Sequence, residues 1–265
     1  MFNSIFKSKL REFKLLVFSI IFIAIGAYLP PSYAQTTYDK IKSSKLIVAG
    51  NSGSYPPFEM MDGDKLIGFD VDLAEELARR MGVKVKFEVI DFKGLIASLT
   101  SKRVDVLISA LTWTPERAER ISFSSPYYNA GIGALYKDKT PIALPKDLSG
   151  KTVGVQLGSS GDLFVREKAG TIVKEIKTYD DIMLAVKDLE NGRVDAVVNP
   201  VPVLRHNAKA ASGIRITEVW DSRVVGINTR KEDLDLLNEI NKHVNAMKND
   251  GFLERIDKKW FGAKQ

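Results

Sequence analysis

The sequence predicts an α/β protein of two similar lobes, each a mostly parallel sheet flanked by helices, and three observations predict it. Short apolar runs alternate with amphipathic helical segments over residues 45–120, an order typical of a parallel sheet covered by helices. A second alternation of the same kind follows residues 137–151, a loop rich in Lys, Pro and Asp. The segments 99–108 (LTSKRVDVLI) and 189–198 (LENGRVDAVV) share one pattern, a helix end, a basic turn and a strand.

In the first lobe, the hydrophobic pattern predicts strand 45–50, helix 70–81, strand 83–90, helix 92–102, strand 104–108 and a helix that opens at Thr114. The helix over 70–81 has the clearest signal, because apolar residues recur at i, i+3 and i+4 and Gly82 follows as a stop. The last helix opens with Thr114-Pro115-Glu116, since Thr is a common N-cap and Pro fits the first helical position.

The second lobe repeats this order with strand 151–155, helix 160–169, strand 172–177, helix 179–191 and strand 194–198. A return strand at 223–228 and two helices at 232–248 and 251–260 complete the chain.

Helices that follow the last strand must cover a sheet, and we assign them to the first lobe. The chain then crosses between the lobes twice, near 129–136 and 224–228. The predicted boundaries are residues 35–132 and 224–265 for the first lobe and 133–223 for the second.

The composition excludes several classes of function. The 265 residues suit one or two domains, and 45% hydrophobic residues are enough for a sizeable core. With no Cys and only two His, we expect no disulfide scaffold, no catalytic thiol, no metal site and no cofactor. The net charge is +6, half of it within residues 1–34, so the rest of the chain is mildly basic and is not predicted to bind nucleic acid.

Residues 1–34 have the pattern of a cleavable secretory signal peptide. A basic start is followed by an uncharged apolar run over 15–29, and small residues at Ser32 and Ala34 precede the predicted cut after Ala34. The alternative is an uncleaved membrane anchor, but the run is shorter than the roughly 20 apolar residues that span a bilayer. We therefore expect an exported protein, retained in a periplasm.

Several short motifs, each weak alone, point together to one family. They are Tyr55-Pro56-Pro57-Phe58-Glu59, Gly68-Phe69-Asp70-Val71-Asp72, Arg103-Val104-Asp105, Arg117 with Phe123-Ser124-Ser125-Pro126-Tyr127-Tyr128, Val153-Gly154-Val155-Gln156-Leu157-Gly158-Ser159-Ser160 and Trp260-Phe261-Gly262. In combination they resemble the family 3 bacterial solute-binding proteins, the polar amino-acid receptors of ABC importers. The likeness covers essentially all of residues 40–265.

The resemblance implies a periplasmic-binding-protein fold of type II, with two lobes joined by two hinge strands. It also implies an amino acid or related small carboxylate as ligand, held between the lobes when they close, an inner-membrane permease as partner, and a monomer. It implies a binding protein and not an enzyme.

Arg117 is the strongest candidate for a residue that binds the ligand. A guanidinium can clamp a carboxylate through two parallel hydrogen bonds, and a cation in the first turn of a helix opposes the helix dipole unless an anion compensates it. The alternative is a surface Arg paired with Glu116 or Glu119. The position matches the family's carboxylate-binding Arg.

Two loops are expected to bind the ligand from opposite lobes. Ser109, Ala110 and Thr112 follow a buried strand of the first lobe, where parallel sheets bind ligands, and the resemblance implies mostly backbone contacts from Ala110. Ser159 and Ser160 open a helix of the second lobe, whose free N–H groups favour an anion. Ordinary helix capping is the alternative for both loops.

Aromatic residues are the candidates for the walls of the side-chain pocket. Tyr55 and Phe92 match the family's apolar walls, since an aromatic ring can stack on a carbon skeleton or a cation. Phe58 matches as well. Core packing is the alternative for all three rings, and it is the stronger expectation for Phe58.

Two positions depart from the family pattern. Ser52 and Pro200 stand where the family usually has the carboxylates that hold the ligand's α-ammonium. Burying an ammonium without a counter-charge costs several kcal/mol. The ammonium is therefore held by neutral acceptors, for which Asn51, Ser52 and Asn199 are candidates, or the ligand is a small carboxylate with a weak, modified or missing amino group. The second option is our hypothesis from the sequence.

Two other functions remain open on the same fold. Some members of this superfamily are secreted dehydratases, similar to cyclohexadienyl or arogenate dehydratases, and Asp162 is the one acid to nominate for such chemistry. Its ordinary role is that of an acid in the first helical turn. The third option is a ligand-sensing protein that docks to a membrane receptor, because fold alone does not decide between these functions.

Overall fold

A computed structural model describes residues 35–208 and 213–262. The predicted signal peptide and its cleavage after Ala34 lie outside these residues. The described residues from Thr37 onward form one compact unit. Among the described residues, no helix has the length and apolar character needed to cross a membrane.

The elements follow the predicted alternation of strands and helices. The helices are α1 Thr37–Ser44, α2 Phe69–Met81, α3 Leu95–Thr100, α4 Pro115–Arg120, α5 Ser160–Lys168, α6 Ile182–Glu190, α7 Val201–Ala208, α8 Leu234–Asn249 and α9 Phe252–Phe261, with 3₁₀ turns at Phe92–Gly94 and Pro145–Leu148. The strands are β1 Leu46–Asn51, β2 Ser54–Tyr55, β3 Glu59–Asp62, β4 Lys65–Ile67, β5 Lys84–Val89, β6 Val106–Leu107, β7 Ile121–Phe123, β8 Tyr128–Lys137, β9 Thr152–Gln156, β10 Glu175–Tyr179, β11 Ala196–Pro200, β12 Ile214–Ile216, β13 Asp221–Val225 and β14 Asn228–Arg230.

Two sheets, each flanked by helices, confirm the predicted α/β class. The first has the order β5-β1-β6-β14-β7 and the second β10-β9-β11-β8-β12, with β13 also paired to β8. The β-α-β strands are parallel in both sheets, whereas β8, β12, β13 and β14 add antiparallel pairs. A small hairpin sheet of β2, β3 and β4 stands beside the first sheet.

The two similar segments, 99–108 and 189–198, have the same structural role in the two sheets. Asp105 accepts a hydrogen bond from the Val48 N–H at 2.9 Å through its carboxylate, and its own N–H donates to the Val48 carbonyl. Asp195 makes the same pair of bonds with Thr152, at 2.8 Å for the carboxylate. Each Val-Asp step therefore fastens a buried strand to its parallel neighbour, which explains why the sequence repeats it.

The chain changes sheets at two adjacent segments, residues 124–127 and 226–227. The Ser124 N–H donates to the Ile227 carbonyl at 2.8 Å, the Ile227 N–H donates to the Ser124 Oγ at 2.9 Å, and the Tyr127 N–H donates to the Val225 carbonyl at 3.0 Å. The two connections thus lie side by side and are hydrogen-bonded to each other.

These segments differ from the predicted crossings. Residues 129–136 lie inside β8, and the predicted return strand 223–228 is split between β13 of the second sheet and β14 of the first. Boundaries at 132/133 and 223/224 would therefore cut β8 and β13. The division into two lobes as independent domains stays a prediction.

The C-terminal helices cover the first sheet. Helices α8 and α9 pack against α2, and the Trp260 indole N–H donates to Asp72 of α2 at 2.7 Å. Lys259 and Arg80 tie the same helices together through ion pairs with Asp72 and Asp250. The apolar stripe of α2 that the sequence predicted is buried in this packing.

Candidate ligand-binding site

The predicted site residues meet at the carboxyl ends of the parallel strands of both sheets. Strands β1 and β6 of the first sheet lead to Ser52 and Ser109, and strands β9 and β11 of the second end at Gln156 and Pro200. Ligands bind at this edge of open parallel sheets. All ten predicted site residues lie on these loops or on the elements beside them, and all but Phe92 are buried.

Arg117 is buried, with 7% of its surface exposed, and reaches across from the first sheet to the second. Its Nη1 donates to the Thr112 carbonyl at 2.7 Å and to the Thr112 hydroxyl at 2.9 Å, and its Nη2 donates to the Gly158 carbonyl at 2.8 Å. The guanidinium lies 5.8 Å from the centre of the Phe92 ring. The surface alternative, pairing with Glu116 or Glu119, is therefore wrong for this side chain.

The Arg117 guanidinium has no carboxylate within ion-pair distance among the described residues. Burial lowers its pKa to about 10, which is the signature of a desolvated cation. Of its five N–H donors, one on Nη2 and the one on Nε have no acceptor in that part of the chain. Donors on adjacent nitrogens form the fork that fits a carboxylate.

An aromatic wall stands beside this cation. The Tyr55 ring stacks between Phe58, at a centroid distance of 6.2 Å, and Phe92, at 6.5 Å. Phe58 is fully buried in an aromatic core cluster, as expected, whereas Phe92 is half-buried. Burial raises the pKa of the Tyr55 hydroxyl well above its ordinary value, so the group stays protonated and able to donate.

Asn199 faces Tyr55 from the second sheet. The residue is 0% exposed, and neither its amide oxygen nor its amide nitrogen has a hydrogen-bond partner of regular geometry. The Oε1 of Gln156, on the neighbouring strand β9, is equally buried and unpaired. Buried polar atoms are rarely left unpaired in native proteins, so these amides are poised to bind a polar ligand.

The loop of the second sheet at 158–162 opens α5. The Ser159 hydroxyl accepts from the Asp162 N–H at 3.2 Å as the N-cap, and Ser160 follows it, also buried. Asp162 accepts from the Gly158 N–H at 2.9 Å and from the Arg166 Nε at 2.7 Å. Both oxygens of the one acid nominated for dehydratase chemistry are thus used to hold this loop.

The first-sheet half of the site rests on a buried carboxyl group, Glu59. Its Oε1 accepts a hydrogen bond from the Ser52 hydroxyl at 2.8 Å and another, short one from the Ser109 hydroxyl. The Ser52 N–H donates to the Ser109 hydroxyl oxygen at 3.0 Å. Asn51 is not available to a ligand, because its amide bridges Ile108 and Gly53.

A second buried acid, Asp70, lies close enough to Glu59 for each carboxyl group to shift the pKa of the other, and we call these two residues the acid pair. Asp70 accepts from the Ala110 N–H at 2.5 Å and from the Tyr127 hydroxyl at 3.0 Å. Ala110 has a φ of +45°, unusual for a residue other than Gly. Since its N–H is bound to Asp70, only the Ala110 carbonyl remains for a ligand.

Burial is the main cause of raised pKa values in the acid pair. It lifts the pKa of Asp70 to about 7, against the hydrogen bonds from Ala110 and Tyr127, and lifts that of Glu59 well above its usual range, where the nearby Asp70 charge adds to the rise. A carboxyl group with a raised pKa binds its proton more tightly in the folded state. Its contribution to stability is full below the unfolded pKa of about 4 and is lost as pH rises through about 7.

The free energy of unfolding is therefore expected to fall between pH 5 and pH 8, and Asp70→Asn is expected to flatten this slope. An Asn can keep all three contacts, because its oxygen accepts from Ala110 and Tyr127 and its nitrogen donates to Glu59. Urea unfolding at four pH values measures the slope. Asp188→Asn is the control, since ion pairing lowers the pKa of Asp188 and moves its titration below this window. An unchanged slope in Asp70→Asn would contradict the assignment.

Sequence reasoning missed Glu59, Asp70, Tyr127 and Gln156 as parts of the site. All four belong to the quoted motifs, but their spacing in sequence carries no sign of mutual contact. The described residues contain no group of three or more His, Asp or Glu side chains placed to hold a metal ion.

Comparison with known proteins identifies the family. Residues 47–263 match the family model of "Bacterial extracellular solute-binding proteins, family 3". The chain belongs to this family. The chain is also 36% identical over 230 residues to the L-cystine-binding protein TcyJ of Escherichia coli strain K12, covering 85% of this chain and 86% of the relative.

Solved structures of similar proteins have the same fold. An ancestral arginine-binding protein bound to arginine matches with a TM-score of 0.79 and 38% identity, over 82% of this chain and 99% of that one. The ancestral amino acid-binding protein AncCDT-1, a precursor of cyclohexadienyl dehydratase, matches with a TM-score of 0.80 and 33% identity, over 85% of this chain and 100% of that one. All three of these similar proteins have names that describe them as binding proteins. The predicted two-lobed fold of this solute-binding protein is confirmed.

Proposed function

We propose that this solute-binding protein is the ligand-binding component of an ABC importer for an amino acid or a related small carboxylate. The observation that carries the proposal is Arg117, a buried cation without a carboxylate partner in the described structure, with a free pair of N–H donors between the two sheets. A desolvated charge is costly unless it is paired, and a ligand carboxylate would pair it. The names of the relatives, a cystine-binding and an arginine-binding protein, support the same class of ligand.

Closure of the two halves over the ligand is expected from the positions of the residues that would contact it. Arg117 and Thr112 belong to the first sheet, while Gly158, Ser159 and Ser160 belong to the second. A ligand shifts the equilibrium between open and closed forms only by its differential affinity for them, so it must touch both halves. The paired segments 124–127 and 226–227 are the hinge about which the halves move.

The exported form is proposed to start after Ala34, to remain in the periplasm and to act as a monomer. Its closed form would deliver the ligand to an inner-membrane permease. Deletion of the gene is then expected to abolish high-affinity uptake of that ligand, which a transport assay with labelled substrate measures. Formation of a dehydrated product from prephenate by the purified protein would instead support the dehydratase alternative.

A thermal-shift screen tests the ligand class directly. The purified protein, stripped of bound molecules by unfolding and refolding, is scanned with the standard L-amino acids, L-cystine, their keto and hydroxy analogues, and dicarboxylates. A ligand at 100 times its dissociation constant adds about 2.7 kcal/mol of stability, which is roughly 5–10 °C for a chain of this size. Isothermal titration then gives the affinity. If no carboxylate in the screen raises the melting temperature, the proposed class is wrong.

A further inference from the structure

The acid pair, Glu59 and Asp70, lies directly behind the surface of the cleft and is not explained by packing. Both residues are 0% exposed, and no Lys or Arg pairs with either of them in the described part of the chain. Two charges in such a place would be prohibitively costly. The local fold nevertheless holds the carboxyl groups together, because the Asp70 N–H donates to the Phe58 carbonyl, next to Glu59, at 2.8 Å.

The hydrogen-bonding pattern of the pair points to one shared proton. The outer oxygens, Glu59 Oε1 and Asp70 Oδ2, accept from four protein donors, namely the hydroxyls of Ser52, Ser109 and Tyr127 and the N–H of Ala110. The inner oxygens, Glu59 Oε2 and Asp70 Oδ1, have no donor. The two carboxyl groups are close enough for each to shift the pKa of the other. Two unpaired carboxyl oxygens buried so close together are compatible when a proton lies between them, which leaves a single negative charge on the pair.

The hydroxyl groups of Ser52 and Ser109 transmit the effect of this buried charge to the cleft. Each hydroxyl group has one hydrogen, and both Ser52 and Ser109 donate theirs to Glu59. Their oxygens can then offer only lone pairs to a ligand. Acceptors backed by a negative charge in a site of low dielectric select a cationic donor and disfavour a second carboxylate.

The position of these acceptors fits one end of an α-amino acid. Ser109 and Thr112 lie on one short loop after β6, and Thr112 holds the guanidinium of Arg117, the carboxylate end of the site. The two ends of the site are thus three residues apart on the same loop. One loop therefore serves both ends of the site, as a ligand with a carboxylate and an ammonium group on one carbon atom would need.

We propose that the acid pair supplies the negative charge for the ligand's ammonium group. The charge acts through the hydroxyl oxygens of Ser52 and Ser109, so Glu59 and Asp70 are positioning residues and specificity determinants that need not touch the ligand. This inference rests on the proposed function. It replaces the hypothesis from the sequence that the amino group is weak, modified or missing.

The test compares an amino acid with its deaminated analogue in the same protein. The amino acid that binds most tightly in the screen is paired with the acid lacking its α-amino group, which for L-arginine is 5-guanidinopentanoate and for L-glutamine is glutaramate. Isothermal titration at pH 8, above the pKa of about 7 for Asp70, gives the ratio of the two affinities. Wild type is expected to prefer the amino acid by about 30-fold or more.

Substitutions in the acid pair test whether its charge causes the preference for the amino acid. Glu59→Gln and Asp70→Asn each keep one ionisable carboxyl group and near-identical shape, and each is expected to lower the ratio less than the double variant does. Glu59→Gln/Asp70→Asn has no charge and is expected to bring the ratio close to one while the analogue still binds. Ser52→Asp added to the double variant is expected to restore the preference. Ser52→Ala, which removes a relay oxygen but not the acids, is the second variant if the double fails to fold, and is expected to lower the ratio several-fold.

Each outcome bears on one of the two proposals. A preference that persists in the double variant, or in Ser52→Ala when that variant replaces it, overturns the role of the acid pair and leaves the proposed function standing. Equal binding of the amino acid and its analogue by wild type also overturns the role of the acid pair and leaves the proposed function standing. Absence of binding by every amino acid and every analogue overturns the proposed function and this inference with it. A ratio that collapses only when both acids are neutral supports the inference, because a merely structural role would weaken both ligands alike.

Discussion

Replacing Arg117 with Ala is expected to weaken ligand binding by about 2–5 kcal/mol, a loss of roughly 30-fold to several thousand-fold in affinity. The guanidinium is buried, has two free N–H donors on adjacent nitrogens and contacts the second sheet at Gly158. Without it, a ligand carboxylate would be buried beside Thr112 with no counter-charge. Isothermal titration with the best ligand of the screen measures the loss.

Two variants sharpen this result. Arg117→Lys keeps the charge but loses the planar fork, so its affinity should lie between those of wild type and Arg117→Ala. Arg79→Ala is the control, because Arg79 is exposed and its ion pair is with Glu76 on the surface of α2. An unchanged dissociation constant in Arg117→Ala would remove this residue from the site.

Periodicity and capping predicted the elements that pack in a regular way. Helix α2 was expected over 70–81 and spans Phe69–Met81, because its apolar stripe and its stop at Gly82 are local signals. Arg117 could be nominated because a cation in the first turn of a helix favours an anionic ligand and because its position matches the family's carboxylate-binding Arg. Thr114 caps that helix as expected and accepts from the Arg117 N–H at 3.3 Å.

Strand β8 shows why other parts of the fold escaped prediction. Its sequence contains Gly131 and Gly133, residues that usually weaken a strand. The structure needs them because a Cβ at Gly131 would lie 2.4 Å from Val219, and one at Gly133 would lie 2.8 Å from Thr217 and Val201. Those neighbours lie far along the sequence from β8, so no local pattern predicts the strand.

The acid pair escaped prediction for a similar reason. Glu59 and Asp70 are eleven positions apart in the sequence, joined by a hairpin whose strands β3 and β4 have only four and three residues. Strands this short give no usable periodicity. The sequence therefore showed a missing carboxylate at Ser52 but not the carboxyl group that lies behind it.

Replacing Gly68 with Ala is expected to lower the free energy of unfolding by about 3–5 kcal/mol, combining backbone strain with overpacking. Gly68 immediately precedes α2 and has a φ of +142°, which residues with a Cβ rarely adopt. A Cβ there would lie 2.2 Å from the Phe58 carbonyl oxygen and 2.8 Å from the Glu59 Cα, both backbone atoms. The absence of a side chain thus allows α2 to begin against the strand of Glu59, which brings Asp70 to its partner. Urea denaturation measures the change.

Gly63→Ala is the matched control for this close approach. Gly63 also has a positive φ, +59°, but a Cβ there would meet nothing within 4 Å. Its substitution should cost only the backbone strain, about 1–2 kcal/mol. Because the added methyl group at Gly68 must push Glu59 away from Asp70, Gly68→Ala should also reduce the preference for an amino acid over its deaminated analogue, whereas Gly63→Ala should not. Equal losses of stability in the two variants would mean that strain alone, and not the contact with Phe58 and Glu59, makes Gly68 necessary.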